Sequence, residues 1–345
     1  MERMSITKQY TTIIDIAEKA GVSPATVSRV INNSDSVGKK TREKVQKIID
    51  EMDYIPNTVV RGVVKQSTRT IALIMMDIAN PFFSEITYGV ESALRRFGYS
   101  MFLCNSNYSR ETEKFHLMEM VGRRVDGIIL ISAFSGDNEL IQKLLNMSIQ
   151  IVSIQTRFSG IDRIITSDEE GMISAVEHLI SFGHTKIAYI GAGARYAPYR
   201  FKAFTDTLKK FDIPLIPDYC PEFQPLSDHR ENFAYHMTKQ LLALPERPTA
   251  IQTMNDYLAL GVYQALHEEN LCIPDDMSVV GFDNIQLSNL LNPRLTTVEQ
   301  PAYEMGKSAG ELIISKIQND GPSVPRQISF ETKLIIRDSV GNVSQ

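Results

Sequence analysis

Short apolar runs and amphipathic stretches alternate along the chain from residue 70 onward, and this alternation constrains the fold more than any other feature. "TIALIMMDI" has the composition of a buried strand, "FFSEITYGVESALRRFG" that of a helix ending at Gly98, and "SMFLCNS" that of another strand. Strands that alternate with helices predict parallel sheets covered by helices on both faces. The expected fold class is therefore α/β.

The alternation occurs in two successive sets. Further strands are predicted at "VDGIILIS" and "IQIVSIQ" in the first set, and at "TKIAYIGA", "TAIQTM" and "MSVVGFD" in the second, which begins near residue 171. Two sets predict two similar subdomains, each with a doubly wound parallel sheet, and a cleft between them. Ligands of such sheets bind at the carboxyl ends of strands, so residues that follow the strands are candidates for a binding site.

The N-terminal part has a different pattern, typical of three short helices. "TTIIDIAEKAGVSPATVSRVIN" begins with a capping box of Thr12 and Asp15, has Gly21 to end a first helix, and has Ser23 and Pro24 to begin a second. A third helix is predicted at "KKTREKVQKIIDEMDY". Two helices joined by a Gly-centred turn indicate a helix-turn-helix head, with an ordinary helical hairpin as the alternative.

The exposed face of the second predicted helix suits a DNA groove. It carries small or hydrogen-bonding side chains and one long cation: Ala25, Thr26, Ser28, Arg29 and Asn32. Small side chains let the helix backbone approach the groove, and Arg29 can donate two parallel hydrogen bonds to a guanine edge. Residues 1–70 also carry 12 Lys and Arg against 8 Asp and Glu, whereas the remainder carries 24 against 33. This basic head on an acidic body supports DNA binding.

Composition indicates a reducing compartment and no membrane anchor. The cysteines, Cys104, Cys220 and Cys272, are far apart and form no CxxC motif, which fits a cytoplasmic protein. "MERMSITKQYTT" lacks the apolar segment of a secretory signal, and no run approaches the ~18 apolar residues of a membrane span. A cytoplasmic location is predicted.

The head resembles that of a known family. "IDIAEKAGVSPATVSRVINN" and "KTREKVQKIIDEMDYIPN" resemble the head of the LacI/GalR family of bacterial transcription regulators, and further matches continue along nearly the whole chain. The first residues of the second helix read bases in that family, which implies base contacts by Pro24, Ala25 and Arg29. The other head positions that we assign to the DNA interface are Thr12, Ser23, Thr26, Ser28, Asn32 and Thr41.

The segment "PNTVVRGVVKQST", residues 56–68, aligns with the family's hinge. The resemblance implies a short helix that forms in the minor groove only on operator DNA, with Asn57 near its start and Val63 at the position of an apolar wedge, usually Leu. Val60 replaces a usual Ala, and Val60 and Gly62 together disfavour the helix by roughly 1.5 kcal/mol. We predict a hinge that is disordered without operator, a shallower kink in the DNA than a Leu would give, and tighter operator binding by Gly62→Ala.

Polar and aromatic side chains follow the predicted strands of the body. Asp77 and Asp256 are two of these side chains. The others form the candidate effector-binding set: Asn80, Phe82, Phe83, Arg195, Arg200, Asn255, Asp283 and Gln300. Carboxylate, amide and guanidinium groups can form paired hydrogen bonds with vicinal hydroxyls, and aromatic rings stack on the C–H faces of a sugar. A structural alternative is that Asn80 begins a helix and the two phenylalanines are core.

The resemblance implies the same set. "NPFF", "RFKAF", "ND", "GFDN" and "TTVEQP" follow the order of the family's effector domain, which is similar to periplasmic sugar-binding proteins. The chain departs from the pattern at Gln155 and Thr156, where sugar binders often carry Asp-Arg, and at Ala203, where Gly is usual. The implied effector is a modified or larger sugar, or not a sugar.

The resemblance also implies domain boundaries. A DNA-binding head covers residues 1–56, a hinge 57–69, one body subdomain 70–168 plus 299–326, and the other 169–298 plus 327–345. No cofactor or metal is predicted, because "GAGARY" lacks the third Gly of a dinucleotide fingerprint and the histidines lack metal-ligand spacing. With no GxSxG elbow, an enzyme is a remote alternative.

These features predict a transcription regulator, specifically a repressor of a carbohydrate-catabolic operon. A homodimer would bind a pseudo-palindromic operator in double-stranded DNA, and a small carbohydrate effector in the cleft would change operator affinity. No Leu heptads follow the body, so a dimer is expected rather than a tetramer. The alternatives are a regulator whose coeffector is a phosphorylated carrier protein (a phosphocarrier), and a stand-alone solute-binding protein.

Overall fold

The computed structural model describes residues 11–54, 67–132, 138–156, 158, 160–191, 198–221, 230–318 and 324–343. The chain divides into two compact units, Met1–Thr68 and Arg69–Gln345, called the head and the body below. None of the helices within these described ranges is long and apolar enough to cross a bilayer.

The head contains three helices around a small apolar interior. They are α1 (Ile13–Ala20), α2 (Pro24–Ile31) and α3 (Lys39–Glu51). Thr12 caps α1 in a capping box with Asp15, and Gly21 ends it in the left-handed conformation with a φ of 62°, as the sequence predicts. All three helices contribute to the interior, which consists of Ile16, Ala17, Ala20, Val27, Val30, Val45, Ile48 and Ile49.

The first lobe of the body is built on a six-stranded parallel sheet of order β10-β5-β4-β3-β1-β2. Its strands are β1 (Thr70–Met75), β2 (Ser100–Asn105), β3 (Gly127–Leu130), β4 (Gln150–Ile154), β5 (Asp162–Thr166) and β10 (Gln327–Phe330). Its helices are α4 (Pro81–Arg96), α5 (Arg110–Gly122), α6 (Asn138–Asn146) and α11 (Ala302–Ile317). The central strands β1, β3 and β4 are buried almost throughout, as expected where helices cover both faces of a sheet.

The second lobe is built on a three-stranded parallel sheet of order β6-β7-β8. The strands are β6 (Ile187–Ile190), β7 (Ala250–Thr253) and β8 (Ser278–Val280), and the helices are α7 (Asp168–Ser181), α8 (Pro198–Lys210), α9 (Arg230–Leu242) and α10 (Asp256–Glu268). Consecutive residues of β7 belong to different apolar clusters, Ala250 to one and Ile251 to the other. Both faces of this sheet are therefore covered, and the predicted α/β architecture is confirmed.

Two short strands lie in the passages, which are the segments where the chain crosses from one lobe to the other. β9 (Thr297–Glu299) and β11 (Lys333–Ile335) pair in antiparallel orientation. Between them in the chain, β10 pairs in parallel with β5. Gln327–Phe330, which the sequence-based boundary assigns to the second subdomain, thus belongs to the sheet of the first, because its backbone completes the hydrogen-bonding edge of β5.

Helices α4 and α11 approach each other closely at glycines. A Cβ atom added to Gly89 would lie 2.1 Å from the carbonyl oxygen of Tyr303, and one added to Gly306 would lie 2.1 Å from that of Ile86. No larger residue fits there without moving a helix backbone. The packing fixes α4 within the first lobe, and the start of α4 contributes to the site described next.

Candidate functional site

Helix α2 presents one face of the head to solvent. Its N-cap Ser23 accepts a hydrogen bond from the backbone N–H of Thr26 at 3.2 Å, and Val27 and Val30 are buried on the opposite face. Of the DNA-facing residues predicted from the sequence, Ser23, Pro24, Ala25, Arg29 and Asn32 are exposed, and Thr26 and Ser28 are half-buried. The local fold thus leaves this face available to a DNA groove.

Arg29 is the long cation of that face. Within the ranges given above, its side chain forms no hydrogen bond or ion pair. Arg42 behaves differently, because it donates to the carbonyl oxygen of Ser34 at 2.6 Å and to Asn33 Oδ1 at 3.3 Å. Arg29 is therefore free to contact a guanine edge, whereas Arg42 ties α3 to the preceding loop.

Three other head positions have mixed roles. Thr12 Oγ1 donates to Asp15 Oδ2 at 2.8 Å, and Asn32 Nδ2 donates to the carbonyl oxygen of Ser28 at 2.8 Å. Both side chains are exposed but already stabilise helix ends, and Thr41 is half-buried at the start of α3. The predicted positions Asn57, Val60, Val63 and Arg195 lie outside the described residues.

A narrow cleft with about 10 Å³ of free space, room for about one water molecule, lies between the lobes of the body. Its lining consists of Asp77, Asn80 and Tyr108 from the first lobe and Met254, Asn255, Tyr257 and Leu258 from the second. Asn80 follows β1, Tyr108 follows β2, and Asn255 follows β7. The cleft is therefore formed at the carboxyl ends of parallel strands, where ligands of such sheets bind.

Asn80 and Asn255 have equivalent roles on the two sides of this cleft. Each is the N-cap of a helix: Asn80 Oδ1 accepts from the backbone N–H of Phe82 at 3.0 Å, and Asn255 Oδ1 accepts from that of Leu258 at 2.9 Å. Both residues are more than nine-tenths buried. Their carbonyl oxygens are thus used, and neither Nδ2 group has a partner among the residues that the structure describes. Two amide donors face the cleft from opposite lobes.

Arg200, in α8, lies between two carboxylates and an aromatic ring. Its Nε donates to Asp168 Oδ2 at 2.9 Å, and its terminal nitrogen lies 3.6 Å from Asp283 Oδ1. The same nitrogen donates to the carbonyl oxygen of Met254 at 2.9 Å. The guanidinium carbon lies 3.8 Å from the centre of the Phe282 ring, a contact that suits a flat cation. These contacts hold the guanidinium in one orientation.

Asp283 receives its hydrogen bond on one oxygen only. Gln300 Nε2 donates to Oδ1 at 2.6 Å, and Arg200 approaches the same oxygen. Oδ2 has no hydrogen-bond partner among the described residues. Burial raises the pKa of Asp283 well above its usual value, against the opposing charge of Arg200. A ligand hydroxyl that donates to Oδ2 would therefore favour the carboxylate.

Hydrogen bonds connect these groups to the end of β4. Gln155 Nε2 donates to Gln300 Oε1 at 2.5 Å and to Thr166 Oγ1 at 2.7 Å. The Thr166 hydroxyl also bonds to Asp168, which pairs with Arg200. The resulting closed network, called the inter-lobe ring below, consists of Gln155, Thr166, Asp168, Arg200, Asp283 and Gln300. It joins the first lobe, the passages and the second lobe.

Phe82 and Phe83 pack inside the first lobe instead of lining the cleft. Each is 5% exposed, both belong to the apolar cluster that includes β1 and α11, and their ring centres are 5.4 Å apart in an edge-to-face arrangement. The structure favours the structural alternative for this pair. Their rings stabilise the start of α4, which positions Asn80.

Several groups in the cleft and in the inter-lobe ring were missed by sequence reasoning. Tyr108 is buried in the lining, and burial raises its pKa, with a further contribution from the charge of Asp283. Thr166 and Asp168 belong to the inter-lobe ring. All three lie at or after the ends of strands, so the rule that selected Asn80 and Asn255 would have found them had β2 been followed further and β5 been recognised.

Comparison with known proteins identifies the family of both units. Residues 12–57 match the family model for bacterial regulatory proteins of the lacI family, and residues 176–340 match that for a periplasmic binding protein-like domain. The head and the later part of the body are thus matched separately, in the order found in the chain.

Individual proteins match over nearly the whole length. The HTH-type transcriptional repressor PurR of Vibrio vulnificus (strain CMCP6) is 34% identical over 337 residues, which cover 96% of this chain and 99% of that protein. The lac repressor dimer bound to operator and the anti-inducer ONPF has a TM-score of 0.83 and 27% identity, covering 96% of this chain and 100% of that chain. A LacI family regulator from Enterococcus faecium with bound ribose has a TM-score of 0.70 and 28% identity, over 80% of this chain and 100% of that chain. With the exposed face of α2 and the two-lobed body, these matches show that the chain belongs to the LacI family of DNA-binding transcriptional repressors.

Proposed function

We propose that this repressor binds a small polyhydroxylated effector in the cleft, and that the effector changes its affinity for the operator of a carbohydrate-catabolic operon. The observation that carries the proposal is a set of polar groups without partners at and beside the cleft. Asn80 Nδ2 and Asn255 Nδ2 are donors in the cleft lining, and Asp283 Oδ2, in the inter-lobe ring, is a carboxyl acceptor, each without a partner among the described residues.

The chemistry of these groups supports a ligand with several hydroxyls, since each hydroxyl can both donate and accept. The free space between the lobes, about 10 Å³, is no larger than one water molecule in this arrangement, so a ligand of monosaccharide size requires the lobes to move apart. The ribose-bound regulator from Enterococcus faecium supports a carbohydrate. Gln155 stands where sugar binders often carry a carboxylate, which favours a sugar derivative over a simple pentose or hexose.

Binding across the lobes would provide regulation. Because Asn80 and Asn255 belong to different lobes, a ligand held by both stabilises one arrangement of the lobes over others. Coupling to DNA then requires only that this arrangement differ in operator affinity. We expect binding without turnover, in the cytoplasm, by a homodimer on a pseudo-palindromic operator. The alternative from the sequence analysis, a phosphorylated carrier protein as coeffector, is kept.

A thermal-shift screen of D-ribose, other pentoses and hexoses, and their phosphates tests the effector proposal. A ligand that binds only the folded state stabilises it by ~2.7 kcal/mol at a concentration of 100 times Kd, which raises Tm. Asp283→Asn should lose this response, while Asp206→Asn, an exposed position in α8, should keep it. No response from any carbohydrate, or a full response in Asp283→Asn, would contradict the proposal.

Arg29→Ala tests DNA recognition by α2. We expect operator affinity to fall about 10- to 100-fold, because a bidentate Arg–guanine contact discriminates by ~1–3 kcal/mol. The measurement is a mobility-shift titration at fixed salt on an operator selected from genomic fragments. Arg95→Ala, at an exposed position in α4, is the control and should bind as the wild type does. Wild-type affinity in Arg29→Ala would show that Arg29 makes no base contact.

A further inference from the structure

Gln155 occupies a constrained position at the end of β4. Its φ is 61°, in the left-handed region that few residues other than glycine adopt. Its backbone N–H donates to the carbonyl oxygen of Ile164 at 2.8 Å, which fixes the backbone against β5. Because the backbone of Gln155 is held in place, the position from which its side chain extends into the inter-lobe ring is fixed.

A count of hydrogens around Thr166 shows which group holds Gln300. Thr166 Oγ1 contacts both Asp168 Oδ1 and, at 2.9 Å, Gln300 Oε1, but a hydroxyl has a single proton to donate. The carboxylate of Asp168 is the nearer and stronger acceptor, so the proton is directed there. Gln155 Nε2 has two hydrogens, one for Thr166 Oγ1 and one for Gln300 Oε1. Gln155 is thus the donor that holds the carbonyl oxygen of Gln300.

The orientation of one end of an amide determines that of the other. With Oε1 held by Gln155, Nε2 of Gln300 is directed at Asp283 Oδ1, 2.6 Å away. We propose that Gln155 is a positioning residue that sets the direction of the Gln300 amide and so supplies Asp283 with its hydrogen-bond donor. The consequence for ligand binding, that Oδ2 is the oxygen left for an effector, rests on the proposed function; the orientation of Gln300 does not.

A carboxylate at this position would have the opposite effect. Having no N–H, it would accept a hydrogen bond from Gln300 Nε2 and turn Oε1 toward Asp283, where two acceptors repel each other. The glutamine at 155 is therefore matched to the Gln300–Asp283 pair. This matching gives a physical role to the departure from the pattern of sugar binders.

Charged and titratable groups around Asp283 must stay constant in a test of this relay. They are Arg200, Asp168 and Asp256, together with the phenol of Tyr108. Gln155→Met leaves all of them in place, since methionine is neutral and of similar length but has no N–H to donate. Replacement by Glu would add a charge, so the methionine variant isolates the hydrogen bond.

The experiment is an NMR titration of the full chain, with ¹³C-labelled aspartate and with the Asp283 signal assigned by its loss in Asp283→Asn. In Gln155→Met the pKa of Asp283 should rise by about 1 or more, because the carboxylate loses a charge-assisted hydrogen bond. Gln142→Met, at an exposed position in α6, is the matched control and should leave that pKa unchanged. If Gln155→Met does not fold, Gln155→Leu removes the same two hydrogens.

A role for Gln155 in packing alone would lower Tm without moving the titration of Asp283. An unchanged Asp283 pKa in the folded variant therefore overturns the inference, even if carbohydrates bind the wild type. A raised value supports it, even if no carbohydrate binds. The outcome of this titration is thus separate from that of the ligand screen.

Discussion

His184 joins three segments of the second lobe through both of its ring nitrogens. Nδ1 lies 2.9 Å from Thr249 Oγ1, and Nε2 lies 2.9 Å from Ser278 Oγ and 3.0 Å from the carbonyl oxygen of Gly341. Burial lowers the pKa of His184 below its usual 6.5, against the opposing hydrogen bond to Gly341. The neutral ring is thus the form that the fold accommodates.

This arrangement predicts a loss of stability in mild acid. The unfolded chain binds a proton near pH 6.5, while the folded chain resists it until a lower pH, so the free energy of unfolding decreases as the pH falls through about 6.5. His184→Gln should reduce this dependence in urea unfolding curves between pH 8 and 5. His267→Gln, at an exposed position in α10, is the control. An identical pH dependence in His184→Gln and the wild type would contradict the assignment.

Asp256 should influence stability in the opposite direction. It is fully buried, with Oδ2 accepting from the backbone N–H of Ile285 at 2.9 Å and Oδ1 accepting from Thr297 Oγ1 at 2.5 Å. Burial raises its pKa from 3.8 to about 7. The folded state therefore keeps a proton that the unfolded chain releases near pH 3.8, and the resulting stabilisation is lost as the pH rises toward 7.

Asp256→Asn should accordingly gain stability relative to the wild type as the pH rises from 4 to 8, by at most ~3–4 kcal/mol. The amide oxygen can still accept from Ile285, and its N–H can donate to the Thr297 hydroxyl once that hydroxyl turns. Unfolding free energies at the two pH values provide the measurement, and their difference cancels the contribution of His184. Asp206→Asn should show no such change, and a pH-independent difference in Asp256→Asn would contradict the raised pKa.

At the scale of elements, the contact between α4 and α11 depends on residues without side chains. An alanine at 306 would place Cβ 2.1 Å from the carbonyl oxygen of Ile86, so one helix must move. Gly306→Ala should destabilise the body by ~1–3 kcal/mol. Gly122→Ala is the matched control, because a Cβ there, at the end of α5, meets nothing within 4 Å. That variant should gain up to ~1 kcal/mol from helix propensity; equal effects of the two substitutions in urea unfolding would refute the close approach.

The elements also show which parts of the fold can be predicted from the sequence. The helix caps at Thr12 and Ser23 and the alternation of strands and helices are local signals, and the fold class follows from them. β5 and β10 are short strands stabilised by pairing with each other across more than 150 residues, and no local pattern specifies such pairing. Because β5 was not recognised, Thr166 and Asp168 were missed as well. The structure places the strand-end residues Asn80 and Asn255 in the cleft lining and Arg200, Asp283 and Gln300 in the inter-lobe ring, and their binding of an effector stays a prediction. Phe82 and Phe83 could not be assigned from the sequence, because apolar rings suit a core and a sugar site equally.

At the scale of the whole molecule, the first lobe exposes apolar side chains at one edge of its sheet. β2 is an edge strand of the six-stranded sheet, and Phe102 and Leu103 are exposed on it, as are Phe115 and Met118 on the following helix α5. Open sheet edges with exposed apolar side chains promote association. The similar lac repressor structure is a dimer on its operator, and we infer that a second copy of this chain covers the β2 edge.

The double variant Phe102→Asp/Phe115→Asp tests this inference. Charges at both positions oppose burial in an interface, so light scattering should show a monomer where the wild type is a dimer. Operator affinity should then fall by more than about 100-fold, because each head binds one half-site without the gain of a linked second head. Phe211→Asp, at an exposed position in the second lobe, should leave both the dimer and operator binding intact.

A dimeric double variant would place the interface elsewhere, and a stable wild-type tetramer would exclude the dimer as the complete assembly. A pseudo-palindromic operator presents two half-sites to the two heads of a dimer. A monomer that keeps full operator affinity would therefore show that operator binding does not require the dimer.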